Sequence, residues 1–173
     1  MKIVNIIEKT IPFGSSISNA YINFDQMTGS IIAIITDVKK NGKPVIGYGF
    51  NSIGRYAPSS ILRDRMIPRL LNAEPQDILN EDESNLDPFK IFNILTSNEK
   101  PGGHGDRAHA IGAIDMAVWD TVAKIEGLPL WKLLSDRYNN GQYDKKIYTY
   151  AAGGYYYPGN NIEMLKDEMK SYI

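Results

Sequence analysis

The chain has 173 residues, 43% of them hydrophobic and 23% charged, with a net charge of -1 and no cysteine. That is the composition of an ordinary folded domain, and it excludes disulfides, thiolate catalysis and sulfur-ligated zinc. The near-neutral balance gives no electrostatic reason to expect nucleic acid or an anionic membrane as a partner. Glu8 and Lys9 interrupt the N-terminal apolar run too early for a signal peptide or a span. The expectation is a soluble cytoplasmic protein.

Lys2 to Pro12 is rich in Ile and Val and reads as a strand ended by Pro12. In Phe13 to Phe24, the middle, Ser15 to Asn19, reads as an exposed loop. Ile31 to Val38 and Val45 to Phe50 are two further strands. Between them lies Asn41-Gly42, a dipeptide that tolerates the positive φ angles of a tight hairpin. A three-stranded antiparallel meander is predicted. A polar loop from Asn51 to Ala57 leads into a helix over 58–71, with Pro68 predicting a kink or an early end. Residues 72–85 are acidic, a loop with at most one helical turn. Glu81, Asp82 and Glu83 are adjacent there, a pattern of solvation rather than of convergent ligation. Asp87 then caps a helix that starts at Pro88.

The most regular stretch is Lys100 to Leu134. Ile111, Ile114, Val118, Val122 and Ile125 form one apolar stripe at helical period, beside the small residues Ala110, Ala113 and Ala117. Gly127 is a C-terminal stop, and Pro129 prevents the same helix from restarting. A short amphipathic helix follows from Trp131 to Tyr138. After a polar linker, Ile147 to Ala152 reads as a lone strand, and Asn160 or Asn161 caps a closing helix with Ile162, Leu165, Met169 and Tyr172 on one face. The order of elements makes the first part an α+β unit. The last strand and helix look like the first βα unit of something larger, so a truncated protein is expected.

Four polar loops stand out: Ser15–Asn19, Asn51–Tyr56, Asn98–Arg107 and Gly153–Gly159. The run PGGHGDR precedes a helix but lacks the GK[ST] ending of a P-loop and the strand setting of a dinucleotide site. His104 and His109 are five apart and miss the spacing that puts two ligands on one helix face. Asp115 and Asp120, also five apart, read as helix-surface or cross-domain pairing groups. Lys100, just before Pro-Gly-Gly, offers a flexible ammonium suited to a carboxylate, and its plain alternative is an exposed loop lysine. Tyr155, Tyr156 and Tyr157 cannot all be core, because successive extended residues alternate faces. No base, nucleophile or metal triad can be assembled from these residues.

The stretch AIGAIDMAVWDTVAKIEGLPLWKLL, Ala110 to Leu134, resembles the first signature of the mandelate racemase / muconate lactonizing branch of the enolase superfamily. Asp115, Asp120, Lys124, Pro129 and Leu133-Leu134 fall at the signature's spacing. Within the branch, SNAYINF, GYGFNSIGRY, NEKPGGHGDR and YAAGGYYYPG look most like the D-tartrate dehydratases. The resemblance implies an α+β capping domain over residues 1–134, a linker over 135–146, and the first strand and helix of an incomplete (β/α) barrel over 147–173. It implies abstraction of the proton α to a carboxylate, a Mg2+ ion that stabilises the enediolate, and loss of a hydroxyl from the next carbon. In such proteins the base lysine lies in a K-x-K motif on the second barrel strand, and acidic metal ligands and a catalytic histidine follow on later strands. None of these is present here, so this chain alone is expected to be inactive.

What the resemblance transfers is substrate recognition by Asn19, Lys100 and Tyr155, with Asn51 and Arg55 as weaker members of the same wall. The implied partner is a small dicarboxylate hydroxy acid, and the full-length form is expected to be a homo-oligomer. Ile53 departs from the family pattern, which has a polar residue there, and could shift substrate preference. Two alternatives stay open: a racemase or dehydratase for another acid sugar, and an orphan non-enzymatic binding domain.

Overall fold

The computed structural model describes residues 1–102 and 104–173, without the side chains of Ile53 and His104. The expectations attached to the Ile53 side chain and to the Gly103-His104 step lie outside the described residues. Three antiparallel strands, β1 (Ile3–Pro12), β2 (Thr28–Lys40) and β3 (Lys43–Gly54), form one sheet in the order β1-β2-β3. The hairpin turns at Asn41 and Gly42, with φ of 51° and 76°, the pair of positive angles that this dipeptide tolerates. β3 runs past the predicted end at Phe50 as far as Gly54, because β2 also extends and Thr28 and Ser30 pair with Gly54 and Asn51. The polar side chains of Asn51 and Ser52 therefore lie in a strand rather than in a loop.

Alternation along the strands makes two different faces. Ile32 and Ile34 are fully buried on one face, together with Gly47 and Gly49, whereas Ile31, Tyr48 and Phe50 are exposed on the other. The buried face is covered by α5 (His104–Glu126), whose Ile111, Ile114, Val118 and Val122 are buried along the predicted stripe. Ile125, at the end of the stripe, is only partly buried.

Two glycines let this helix come close. A Cβ on Gly49 would lie 2.1 Å from the carbonyl oxygen of Ala113, and one on Gly47 would lie 2.3 Å from that of Ala117. Helix backbone therefore rests on strand backbone, with Ala110, Ala113 and Ala117 buried at the contact. The helix ends in a Schellman motif: Gly127 has φ +74°, and Leu128 N–H donates to Ala123 O at 3.0 Å.

Shorter helices close the core around α5. The predicted helix over 58–71 forms as α1 (Ala57–Ile61), a wide π turn (Leu62–Met66) and α2 (Ile67–Leu71). The Ile67 N–H reaches back five residues to Leu62 O, which opens the ladder just before Pro68 and lets the chain stay helical through the proline. α3 (Pro75–Ile78) is the single turn expected in the acidic loop. Asp87 caps α4 (Pro88–Thr96) by accepting from Phe89 N–H and Lys90 N–H. α6 (Leu130–Tyr138) and α7 (Ile162–Ser171) complete the order, with Asn161 capping α7 by accepting from Met164 N–H.

The predicted strand over 147–152 is not formed. Ile147, Tyr148 and Tyr150 are 83%, 90% and 82% exposed. A strand exists only where a neighbour takes its N–H and C=O groups, and among the described residues none runs beside this segment. α7 likewise has no buried residue, and Ile162 is 70% exposed.

The close approach of α5 leads to two opposite expectations. Gly49→Ala forces its methyl into the Ala113 carbonyl and should cost roughly 2–4 kcal/mol, seen as a lower urea midpoint or as loss of folding. Gly112→Ala, whose Cβ meets nothing within 4 Å in the same helix, should raise stability by about 0.5–1 kcal/mol. A tolerated Gly49→Ala would refute the backbone contact.

Candidate functional site

Two of the predicted polar loops are tied together. Ser18 and Tyr156 exchange backbone hydrogen bonds, Ser18 N–H to Tyr156 O at 3.0 Å and Tyr156 N–H to Ser18 O at 2.8 Å. This two-residue bridge joins the Ser15–Asn19 loop to the Gly153–Gly159 loop across 138 residues of sequence. Tyr155 packs its ring edge against Phe24, with centroids 6.1 Å apart. Phe13, Ser15, Ile17, Phe24, Ser52 and Tyr155 line a hollow of about 400 Å3 beside the bridge. Asn19 makes its own turn: Oδ1 accepts from Tyr21 N–H and Ile22 N–H at 2.8 and 2.7 Å. Its carbonyl is thereby committed, and the Nδ2 amide is the end left to donate to a ligand.

Lys100 is exposed on a different loop, which a buried carboxylate organises. The Glu99 side chain is 8% exposed and meets Arg65 at 2.8 Å, Arg69 at 2.8 Å and Arg107 at 3.2 Å. Arg107 also donates to Lys100 O at 2.8 Å and Gly102 O at 2.7 Å, so it holds the backbone on both sides of Pro101. Burial pushes the Glu99 carboxyl up, but the Arg65 and Arg69 guanidiniums outweigh it and hold the group below its ordinary value. Three guanidiniums meet this one carboxylate and Lys100 adds an exposed ammonium to the loop, an excess of positive charge that suits an anionic ligand.

The sequence reading did not pick out Glu99 or its arginines. One signal was present: Arg107 lies in the first turn of α5, where the helix dipole disfavours a cation unless it is engaged elsewhere.

The register of β3 on α5 relates these loops. Gly47 lies by Ala117 and Thr121, and Gly49 by Ala113 and Ala117, so the C-terminal end of β3 runs toward the N-terminal end of α5. Ser52, which lines the Tyr155 hollow, and the Lys100 loop, which enters α5, are therefore at the same end of the domain.

Of the weaker candidates, Asn51 is only 9% exposed, and its Oδ1 accepts from Ser30 N–H at 3.3 Å. Among the described residues its buried Nδ2 has no partner, nor does Nδ1 of His109. Arg55 lines a separate hollow with Asp25, Gln26 and Tyr56. Asp120 and Lys124 serve the sheet: Asp120 Oδ2 accepts from Tyr48 N–H at 2.7 Å, and Lys124 Nζ donates to Ile46 O at 2.9 Å. Glu81, Asp82 and Glu83 are exposed, and the Ser84 hydroxyl and N–H hold Asp82 below its ordinary pKa. Among the described residues no three His, Asp or Glu side chains are grouped to hold a metal ion. These residues therefore do not fit the Mg2+ site that the resemblance implies. No described helix is long and apolar enough to cross a membrane.

Residues 26–135 match the family model of the mandelate racemase / muconate lactonizing enzyme N-terminal domain. The chain belongs to this family. Similar proteins include an arabinonate dehydratase of Saccharolobus solfataricus, 29% identical over 96 residues, which span 56% of this chain and 24% of that protein. A D-mannonate dehydratase of Rhizorhabdus wittichii is 33% identical over 117 residues, 68% of this chain and 24% of that one. A mandelate racemase/muconate lactonizing enzyme-like protein from Rubrobacter xylanophilus has the same fold, with a TM-score of 0.66 and 16% identity over 99% of this chain and 42% of its own. The chain thus spans about a quarter of the length of the dehydratases it matches.

Acid should loosen the Lys100 loop. A carboxyl held below its ordinary value adds stability above the unfolded-state value of 4.5 and loses it as pH falls through the folded-state value. Protection of the amides across residues 98–102, taken relative to their intrinsic exchange rate at each pH, should therefore fall below pH 4.5, and in Glu99→Gln it should already be low at neutral pH with little further change on acidification. Unchanged protection in Glu99→Gln would show that the cluster does not order the loop.

Proposed function

We propose that this chain is the substrate-capping part of an enolase-superfamily dehydratase acting on a small hydroxy acid, with D-tartrate to oxaloacetate as the first candidate. In this reading residues 1–134 form the cap, 135–146 the linker and 147–173 the start of a barrel. The base and the Mg2+ ligands belong to residues outside this chain, and the whole protein is a homo-oligomer. The reaction removes the proton α to one carboxylate and expels the hydroxyl of the next carbon as water. The resulting enol becomes the ketone of oxaloacetate. The chain's own part is to bind and orient: Lys100 pairs with a substrate carboxylate, the Asn19 amide donates to a hydroxyl or carboxylate oxygen, and Tyr155 closes the wall.

The observation that carries this reading is the pinning of the Asn19 and Tyr155 loops by the Ser18–Tyr156 bridge, at the end of the domain where the cationic Lys100 loop enters α5. A second reading keeps the reaction and changes the substrate to a longer sugar acid. The arabinonate and D-mannonate names of relatives favour it.

The test uses a form extended by a C-terminal region of the length its relatives have, assayed with magnesium on D-tartrate, arabinonate and mannonate. Oxaloacetate release from tartrate is expected, with Lys100→Ala lowering kcat/KM roughly 10- to 100-fold through loss of one charge-assisted pair. Turnover of a sugar acid but not of tartrate would select the second reading. Tartrate turnover untouched by Lys100→Ala would remove that residue from the site.

A further inference from the structure

The segment that carries Lys100 out of α4 toward α5 is held by a guanidinium at each end. On entry Arg69 donates to Leu95 O at 3.3 Å and Ser97 O at 3.1 Å. On exit Arg107 donates to Lys100 O at 2.8 Å and Gly102 O at 2.7 Å. Both guanidiniums meet the same carboxylate, which lies between them in the chain. Arg69 Nη2 is 2.8 Å from Glu99 Oε1, and Arg107 Nη1 is 3.2 Å from Glu99 Oε2. The three side chains are 25%, 17% and 8% exposed, so the clamp lies largely beneath the surface.

Between the clamped carbonyls the backbone has little freedom of its own. Pro101 has a fixed φ and holds Lys100, the residue before it, away from helical angles. Gly102 has φ +94°, a conformation that favours glycine. The main chain of Lys100 is thus set before a ligand arrives, while its ammonium stays exposed.

We infer that Arg107 is a positioning residue for Lys100, acting on a bound carboxylate only through the Lys100 main chain. This rests on the reading in which Lys100 pairs with a substrate carboxylate. A loop that had to order itself around the ligand would lose part of the binding energy, and a loop already ordered does not. The planar guanidinium has donors in fixed directions and serves Glu99, Lys100 O and Gly102 O at once. A lysine in its place keeps the charge but has a single nitrogen and cannot span both carbonyls. Loss of function in Arg107→Lys is therefore geometric, not electrostatic.

The test measures kcat/KM of the extended form, on the acid it turns over, for Arg107→Lys, Lys100→Ala and the double variant. Arg107→Lys is expected to lower kcat/KM roughly 5- to 20-fold when Lys100 is present, and less than about twofold in the Lys100→Ala background. Gly102→Ala strains the same bend from outside, since its Cβ meets nothing within 4 Å. It should show the same dependence on Lys100, and it serves if Arg107→Lys does not fold by circular dichroism. Equal losses in both backgrounds would make Arg107 a plain support of the fold and overturn the inference. Lys100→Ala without effect would also overturn it, leaving Arg107 nothing to position. If the extended form turns over no acid, the dehydratase reading fails by itself, and calorimetric binding of D-tartrate to the same variants decides the role of Arg107. The same non-additive loss would then support that role, and additive losses or no binding would overturn it.

Discussion

Gly47 and Gly49 have no side chain to hold a helix at the usual distance, so the backbone of α5 lies on that of β3, with alanines at the contact. Two consequences follow. The helix is fixed in register as well as in position, because a shift along the strand would bring a larger side chain onto backbone. The N-terminal end of α5 is then delivered to the C-terminal end of β3, which sets the Lys100 loop and the Ser52 end of the strand on one side of the domain.

β3 is an edge strand of the sheet, and α5 supplies the remedy. Asp120 takes the outward N–H of Tyr48, while Lys124 donates to the outward carbonyl of Ile46 and sits 4.7 Å above the Tyr48 ring. Charged side chains thus block the strand where another chain could pair with it. The signature residues Asp120 and Lys124, which as a pair of letters look like a surface salt bridge, do a backbone's work here. Asp115, one helical turn before Trp119, instead lines a hollow with Phe89, Trp119 and Tyr138.

Order in the candidate site comes from long-range pairing rather than from regular secondary structure. Glu99 and its three arginines draw together the π turn, α2 and the first turn of α5, and Arg107 holds the carbonyls on either side of the Pro101 bend. On the other wall, two backbone hydrogen bonds between Ser18 and Tyr156 join segments far apart in sequence. Both devices place exposed polar groups on loops while their anchors are half-buried or satisfied by backbone, as a surface that meets a polar ligand requires.

Much of this was legible in the residues because it depends on local chemistry. The Asn41-Gly42 turn, the Asp87 and Asn161 caps, the Gly127 stop and the period of Ile111 to Val122 each follow from φ preferences, capping bonds or helical geometry, and each is found where those rules put it. Tertiary structure decided what depends on a partner distant in the chain. Residues 147–152 have strand composition and form no strand, since pairing, not propensity, makes one. Asn51 reads as a loop residue and is buried in a strand because β2 continues opposite it. Glu99 reads as an ordinary loop acid and becomes the centre of a charge cluster, since its arginines come from elements that only the packing of α5 brings near.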